Sequence, residues 1–206
     1  MADSATDRIL TEADGPIGRI IINNPEKRTA FDLAMWTALP AALAELNARD
    51  ETRVILISGA GDEAFVAGAD ISEFETLRTN PDDAREYNAV TDRAFEALSA
   101  SQCPTVAVIH GFCFGGGCAI ALNCDLRVAS ADASFCIPPA KLGLGYGYEN
   151  VQRLATELGP AVAREMLFTA RGYDAPEALR VGILHQLVED RATLSEASQK
   201  LAKQIS

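Results

Sequence analysis

Two short, unbroken apolar runs constrain this chain most: VILIS at Val54 to Ser58, stopped by Gly59, and PTVAVIHG at Pro104 to Gly111. Apolar runs of that length without polar alternation read as strands buried on both faces, the habit of parallel sheets covered by helices. From Pro81, with Asp82 and Asp83 in the first turn, Tyr87, Val90, Ala94, Phe95 and Leu98 share one side of a helix ending near Ser99. Upstream, RILTEADGPIGRIIINN reads as a hairpin, two β-runs parted by Asp14, Gly15 and Pro16 and closed by Asn24-Pro25. Asp32 is placed to cap a helix through Asn47, in which Leu33, Trp36, Leu39, Leu43 and Leu46 recur at helical spacing, with Pro40 as a kink point. Downstream, CAIALNC has the apolar density of a buried helix, and DLRVAS and ASFCIP read as short strands. After GLGYGY the chain reads as helical over Glu149 to Leu158, Ala161 to Phe168, Pro176 to Val181 and beyond Glu189, with HQLV between. The alternation predicts one α/β domain over residues 1–206 with a helical C-terminal portion.

Composition narrows the function. With 18 Lys+Arg against 29 Asp+Glu the formal charge is −11, which argues against nucleic acid as a bulk electrostatic partner but permits a small anionic ligand held by a local cluster. At 48% hydrophobic and 23% charged the chain has the composition of a globular core. No apolar run reaches the roughly 18 residues of a membrane span. The opening MADSATDRIL lacks a basic segment leading into an apolar one, so a reducing cytoplasm is the expectation. Cys103, Cys113, Cys118, Cys124 and Cys136 lie in apolar contexts without a C-x-x-C pair, and only His110 and His185 are available as companions. They read as small buried hydrophobes, with no metal site expected.

Two glycine-bearing junctions deliver loops into helices, where unpaired backbone N–H groups face whatever lies beyond. The first is FVAGAD at Phe65 to Asp70, and the second is GFCFGGGC at Gly111 to Cys118. Without a Cβ, Gly115, Gly116 and Gly117 allow a ligand close to the main chain, or else serve only tight strand–helix packing. Neither junction continues as Gly-Lys-Ser/Thr, neither fits G-x-G-x-x-G, and no G-x-S-x-G elbow is present. What survives is a pair of amide donors from separate loops, suited to a developing oxyanion on a carbonyl.

VILISGAGDEAFVAGADISEF followed by PTVAVIHGFCFGGGCAIALNCDLRVAS resembles the crotonase superfamily, also called enoyl-CoA hydratase/isomerase. The likeness runs back to NNPEKRTAF and forward through FCIPPAKLGLG and MLFTARGYDAPEALRVGILHQLV. It implies an α/β crotonase (ClpP-like) fold, with repeated ββα units forming a spiral core to about residue 145. A helical portion follows over about 146–206. Relatives continue with further helices over the acyl-CoA site, so that portion is expected to be incomplete. The resemblance implies an acyl-CoA-processing enzyme in which the amides of Ala69 and Gly116 hold a thioester carbonyl oxygen, with coenzyme A entering as part of the substrate and no permanently bound cofactor. It places Ala67 at the adenine and Lys27 and Arg28 where basic groups meet phosphates. Ala30, Asp70, Ile71, Gly115, Pro138 and Leu142 are expected around the same ligand. For Lys27 and Arg28 a solvated loop is the alternative, and for Asp70 a helix cap. Homotrimers or dimers of trimers are implied.

One departure bears on mechanism. The resemblance implies two glutamates as the hydratase acid and base, and the matching positions are Ala119 and Pro139; a third carboxylate position, used by isomerase relatives, is Gly147. Side chains without a titratable proton cannot do that work. Tyr146 matches a tyrosine of methylmalonyl-CoA decarboxylase relatives, where loss of carbon dioxide makes the enolate without a base. It reads equally as packing beside Tyr148 and a Gly-rich turn. Glu149 is a candidate base or a carboxylate at a helix start, and His110 a candidate titrating group or a core histidine. The alternatives to a hydratase/isomerase are thus a decarboxylase and a silent acyl-CoA-binding subunit.

Overall fold

The computed structural model describes residues 7–206, so the opening Met1 to Thr6 considered above lies outside the described residues. Two sheets share the core. A six-stranded sheet takes β1 (Ile9–Asp14), β2 (Ile17–Ile22), β3 (Val54–Gly59), β5 (Thr105–Ile109), β7 (Leu126–Ser130) and β10 (Gln186–Val188) in that spatial order. A four-stranded sheet takes β4 (Ala64–Val66), β6 (Phe112–Phe114), β8 (Ser134–Cys136) and β9 (Tyr173–Asp174). The hairpin of β1 and β2 is antiparallel, whereas β2, β3, β5, β7 and β10 run parallel, with Ile20 opposite Ile57 and Ile57 opposite Ala107. Val54, Ile55, Leu56 and Ile57 are all buried, because helices cover both faces of that sheet. Three strands of the large sheet each hand the chain to a short strand of the small one: β3 to β4, β5 to β6, β7 to β8. This is the crotonase fold that the residues led us to expect.

The helices are α1 (Leu33–Asn47), α2 (Phe74–Leu77), α3 (Pro81–Ser99), α4 (Gly116–Asn123), α5 (Pro139–Leu142), α6 (Tyr148–Thr169), α7 (Ala175–Val181) and α8 (Arg191–Ile205). At the start of α1 the Met35 amide donates to Asp32 Oδ1 at 2.8 Å, and Arg8 pairs with the same carboxylate. A cap of this kind contributes about 1 kcal/mol. The helix passes through Pro40 unbroken and buries Met35, Trp36, Leu39, Leu43 and Leu46; burying one large apolar side chain contributes about 1.5–3 kcal/mol. Long α6 holds one break, where Gly159 has φ 79° and ψ 157° ahead of Pro160, at the boundary the sequence marked between two helices.

Two features depart from the sequence reading. The C-terminal portion is not wholly helical: Tyr173–Asp174 pairs with β8, and Gln186–Val188 completes the large sheet beside β7. Of the small sheet only β8, within the ASFCIP run, was expected as a strand; β4, β6 and β9, of two or three residues, are too short to show a period. All five cysteines are free and buried, and among the described residues no group of His, Cys, Asp and Glu is arranged to hold a metal. Among the described residues no helix is long and apolar enough to cross a membrane.

A buried cation ties the C-terminal portion to the core. Arg127, 1% exposed, donates to the carbonyls of Ile183 at 2.8 Å and Cys124 at 2.9 Å and pairs with Glu157 at 3.0 Å. His185 supports the same junction, its Nδ1 accepting from the Arg127 amide at 3.1 Å.

The turn from β3 to β4 is equally demanding, since a Cβ at Gly59 would lie 2.4 Å from the carbonyl oxygens of both Ala64 and Phe65. Gly59→Ala is expected to cost about 3 kcal/mol or more, because neither contact is a movable side chain. Urea titration of the two proteins should show a lower midpoint at an unchanged slope.

Candidate active site

The two glycine-bearing junctions meet. Gly115 caps α4 with φ 50° and ψ −109°, a conformation that an L side chain resists. Gly117 fits for a different reason: a Cβ there would lie 2.2 Å from the carbonyl oxygen of Val66, so α4 can press against β4 only with glycine at this position. Between them, Gly116 begins the helix, and its own Cβ position lies 3.6 Å from the amide nitrogen of Ala69. The segment carrying Ala69 is held on its other side by the loop before α1. Phe31 donates to the Gly68 carbonyl at 2.8 Å, and the Asp70 amide donates back to Phe31 at 2.7 Å. Those bonds flank Ala69 without using its N–H. Gly116, at the first position of a helix, has no intrahelical acceptor. Among the described residues neither amide has a hydrogen-bond acceptor, and Ala69 and Gly116 line the same space.

That space is a cavity of about 700 Å³. Ala67, Ala69, Gly115, Gly116, Ala119, Pro138 and Pro139 line its floor, with Ile71 and Leu142, both largely exposed, at its rim. One wall is the face of α3 carrying Tyr87, Asn88, Thr91, Asp92 and Phe95, joined by Arg78 from the segment before it. Tyr146, Tyr148 and Glu149 form the wall at the start of α6. Trp36 closes the cavity from beneath, 1% exposed, with its ring 3.1 Å from the Cβ position of Gly116.

Of the residues expected around the ligand, the cavity brings together Ala67, Ala69, Ile71, Gly115, Gly116, Pro138, Leu142, Tyr146 and Glu149. Lys27, Arg28, Ala30 and Asp70 are not among its lining residues. They form the adjoining loop, where Ala67 donates to the Arg28 carbonyl at 3.1 Å and Asn24 Nδ2 to the Ala30 carbonyl at 2.7 Å. Lys27 Nζ sits 2.6 Å from Asp70, and Arg28 Nε 2.6 Å from Glu63 with its guanidinium over the Phe112 ring. Asp70 also accepts from the Ser72 amide at 3.0 Å, so the cap alternative describes it directly. His110 lies at the end of β5, away from the cavity lining. Burial, with the nearby Arg191 charge, lowers its affinity for a proton and favours the neutral ring.

The phenols of the cavity are poor bases. Burial pushes Tyr87 up to about 12, against a smaller opposing effect of the neighbouring Trp36 indole, and burial beside Cys118 and Cys113 pushes Tyr146 further above the ordinary tyrosine value. Sequence reasoning missed the polar stripe of α3 because it followed the core face through Val90 and Ala94. Asn88, Thr91 and Asp92 lie one step around the same helix, and in a sequence such a stripe looks like a solvated face.

The fold is thus an α/β core in which two glycine-bearing loops line one cavity. The family model for enoyl-CoA hydratase/isomerase matches residues 12–206. A short-chain-enoyl-CoA hydratase of Clostridium acetobutylicum is 32% identical over 200 residues, covering 97% of this chain and 76% of that protein. A crotonyl-CoA hydratase of Syntrophomonas wolfei is 33% identical over 201 residues, covering 98% and 76% respectively. The crystal structure of an enoyl-CoA hydratase/carnithine racemase from Magnetospirillum magneticum superposes with a TM-score of 0.94 at 33% identity, over 98% of this chain and 75% of that one. The chain belongs to the enoyl-CoA hydratase/isomerase family.

The ion pair at the edge of the site sets an acid limit. Burial alone would raise the Asp70 carboxyl, but hydrogen bonds from Lys27 and Ser72 and the Lys27 charge outweigh it and hold Asp70 below its ordinary 3.8. A carboxylate depressed in the folded state stabilises above its unfolded value and loses that contribution as pH falls through the folded one. Thermal unfolding followed from about pH 6 to about pH 3 should therefore show a shallower acid decline in Asp70→Asn than in the parent protein.

Proposed function

We propose that this protein is an acyl-CoA-processing enzyme whose Ala69 and Gly116 amides hold the thioester carbonyl oxygen and stabilise the enolate formed at the adjacent carbon. The observation carrying this reading is that the two amides converge on one cavity with no protein acceptor of their own. Donors fixed by the backbone need no rearrangement as charge develops on oxygen, so they favour the enolate over the neutral thioester. Membership in the enoyl-CoA hydratase/isomerase family, and relatives named as hydratases of enoyl-CoA and crotonyl-CoA, support a coenzyme A thioester as the substrate class. Ala67, Pro138 and Leu142 then supply the surface along which the thioester arm enters. Ala30, Lys27 and Arg28 stand beside that entrance. For Lys27 or Arg28 to meet the phosphates, each must exchange its present carboxylate partner, Asp70 or Glu63, for the ligand.

The test is a panel of acyl-CoA esters, including crotonyl-CoA and methylmalonyl-CoA, with product masses read for the parent chain and for Gly116→Pro. Proline at the first helical position deletes one donor, and because a Cβ there lies 3.1 Å from the Trp36 ring, Gly116→Ala, which keeps the amide and makes the same contact, is the control for packing. Turnover is expected to fall about 10²–10³-fold while circular dichroism stays unchanged. A gain of water by crotonyl-CoA identifies hydration, and loss of carbon dioxide identifies decarboxylation. Parental turnover in folded Gly116→Pro rejects the role given to that amide. Binding without turnover on any ester makes the chain an acyl-CoA-binding subunit instead.

A further inference from the structure

The enolate reading leaves open which group moves protons, since Ala119 and Pro139 carry none. The inference here rests on that reading. Among the described residues lining the cavity there is no histidine, lysine or cysteine, and Arg78 holds its proton throughout the ordinary pH range. The three tyrosines are phenols. Two carboxylates remain, Asp92 on α3 and Glu149 at the start of α6. They stand on different walls of the cavity that holds both amides, and neither is taken up by a cation or hydrogen-bond donor among the described residues. Most other carboxylates around the site are engaged: Asp70 by Lys27, Glu63 by Arg28, Glu73 by the Leu33 amide and Glu157 by Arg127.

We propose that Asp92 and Glu149 are the acid and base of this cavity, Asp92 delivering a proton to the α-carbon and Glu149 receiving one from the attacking water. On an enoyl-CoA the step balances as follows. Water gives a proton to Glu149 and its oxygen bonds to the β-carbon. The π pair moves through the α-carbon onto the thioester oxygen at Ala69 and Gly116. As the enolate collapses, the α-carbon takes the proton of Asp92. Transfer of the proton from Glu149 back to Asp92 restores the pair.

The two environments separate the roles. Partial burial, then the charges of Glu149 and of Glu96 one turn along α3, raise the Asp92 carboxyl and favour its protonated form. Glu149 stands exposed in the first turn of α6, open to solvent, whereas Asp92 is half-buried on α3.

The experiment compares the parent chain with Asp92→Asn, Glu149→Gln, the double variant, Asp92→Glu and Gly116→Pro. Hydration of crotonyl-CoA, deuterium uptake at the α-carbon of butyryl-CoA in heavy water, and calorimetric binding of butyryl-CoA are measured for each. Asp92→Asn and Glu149→Gln are each expected to lose about 10²-fold or more in kcat with binding within a few-fold of parent. The double variant should fall little further than the worse single one, since the pair acts as a unit. Asp92→Glu should recover part of the loss. Parental rates in Asp92→Asn with an inactive Gly116→Pro overturn the proton-transfer assignment and leave the amide reading standing. Parental rates in Gly116→Pro reject the amide reading instead. A parent chain that binds butyryl-CoA yet neither hydrates crotonyl-CoA nor exchanges the α-proton also overturns the pair. Should Asp92→Asn fail to fold, Glu149→Gln, altered at an exposed helix start, decides alone: undiminished turnover there overturns the assignment.

Discussion

Helix α4 starts where it does because position 117 carries no side chain. With a Cβ excluded from the 2.2 Å gap to the Val66 carbonyl, the helix settles directly on β4, and the Cβ position of its first residue, Gly116, lies 3.6 Å from the Ala69 nitrogen. Everything at the site follows from that contact. The loop before α1 braces the Ala69 segment through Phe31, and Trp36 fills the space under Gly116, so both amides are presented by close-packed backbone. Packing at interior density leaves such groups little room to shift, and donors held that way are worth more to a developing charge than mobile ones.

The cavity above the amides is chemically uneven. Its floor is glycine, alanine and proline, which lets a ligand approach the main chain. Its walls carry nearly all of its polar side chains: Arg78, Asn88, Thr91 and Asp92 on one side, Glu149 on the other. A scaffold that fixes the carbonyl from the floor can place proton chemistry on whichever wall has a suitable group. That division explains how one fold hosts several reactions, and why site residues rather than kinship must argue the reaction.

Much of this was legible from residues alone. Continuous apolar runs announced doubly covered strands, and the capped, periodic segments announced α1 and α3. The glycines of the second junction announced an unusual backbone, because an extra atom there is costly in any environment. Beyond β8 the small sheet was not legible, since β4, β6 and β9 are too short to carry a period, and neither was the sheet edge contributed by Gln186–Val188. Asp92 illustrates the remaining gap: along α3 it is one more acidic residue on a polar helix, and only the position of α6 turns its face from solvent to cavity.

The sequence by itself determined which segments are strands and helices, that the chain is an acidic α/β protein, and that two loops offer free amides. These are local matters of side-chain shape, periodicity and missing Cβ atoms. Tertiary structure alone decided that the two loops meet, that Lys27 and Arg28 are held by Asp70 and Glu63, and that Asp92 and Glu149 face one space. Such juxtapositions join residues far apart in the chain, as Asp92 and Glu149 are. They depend on how whole elements pack, which no local pattern encodes.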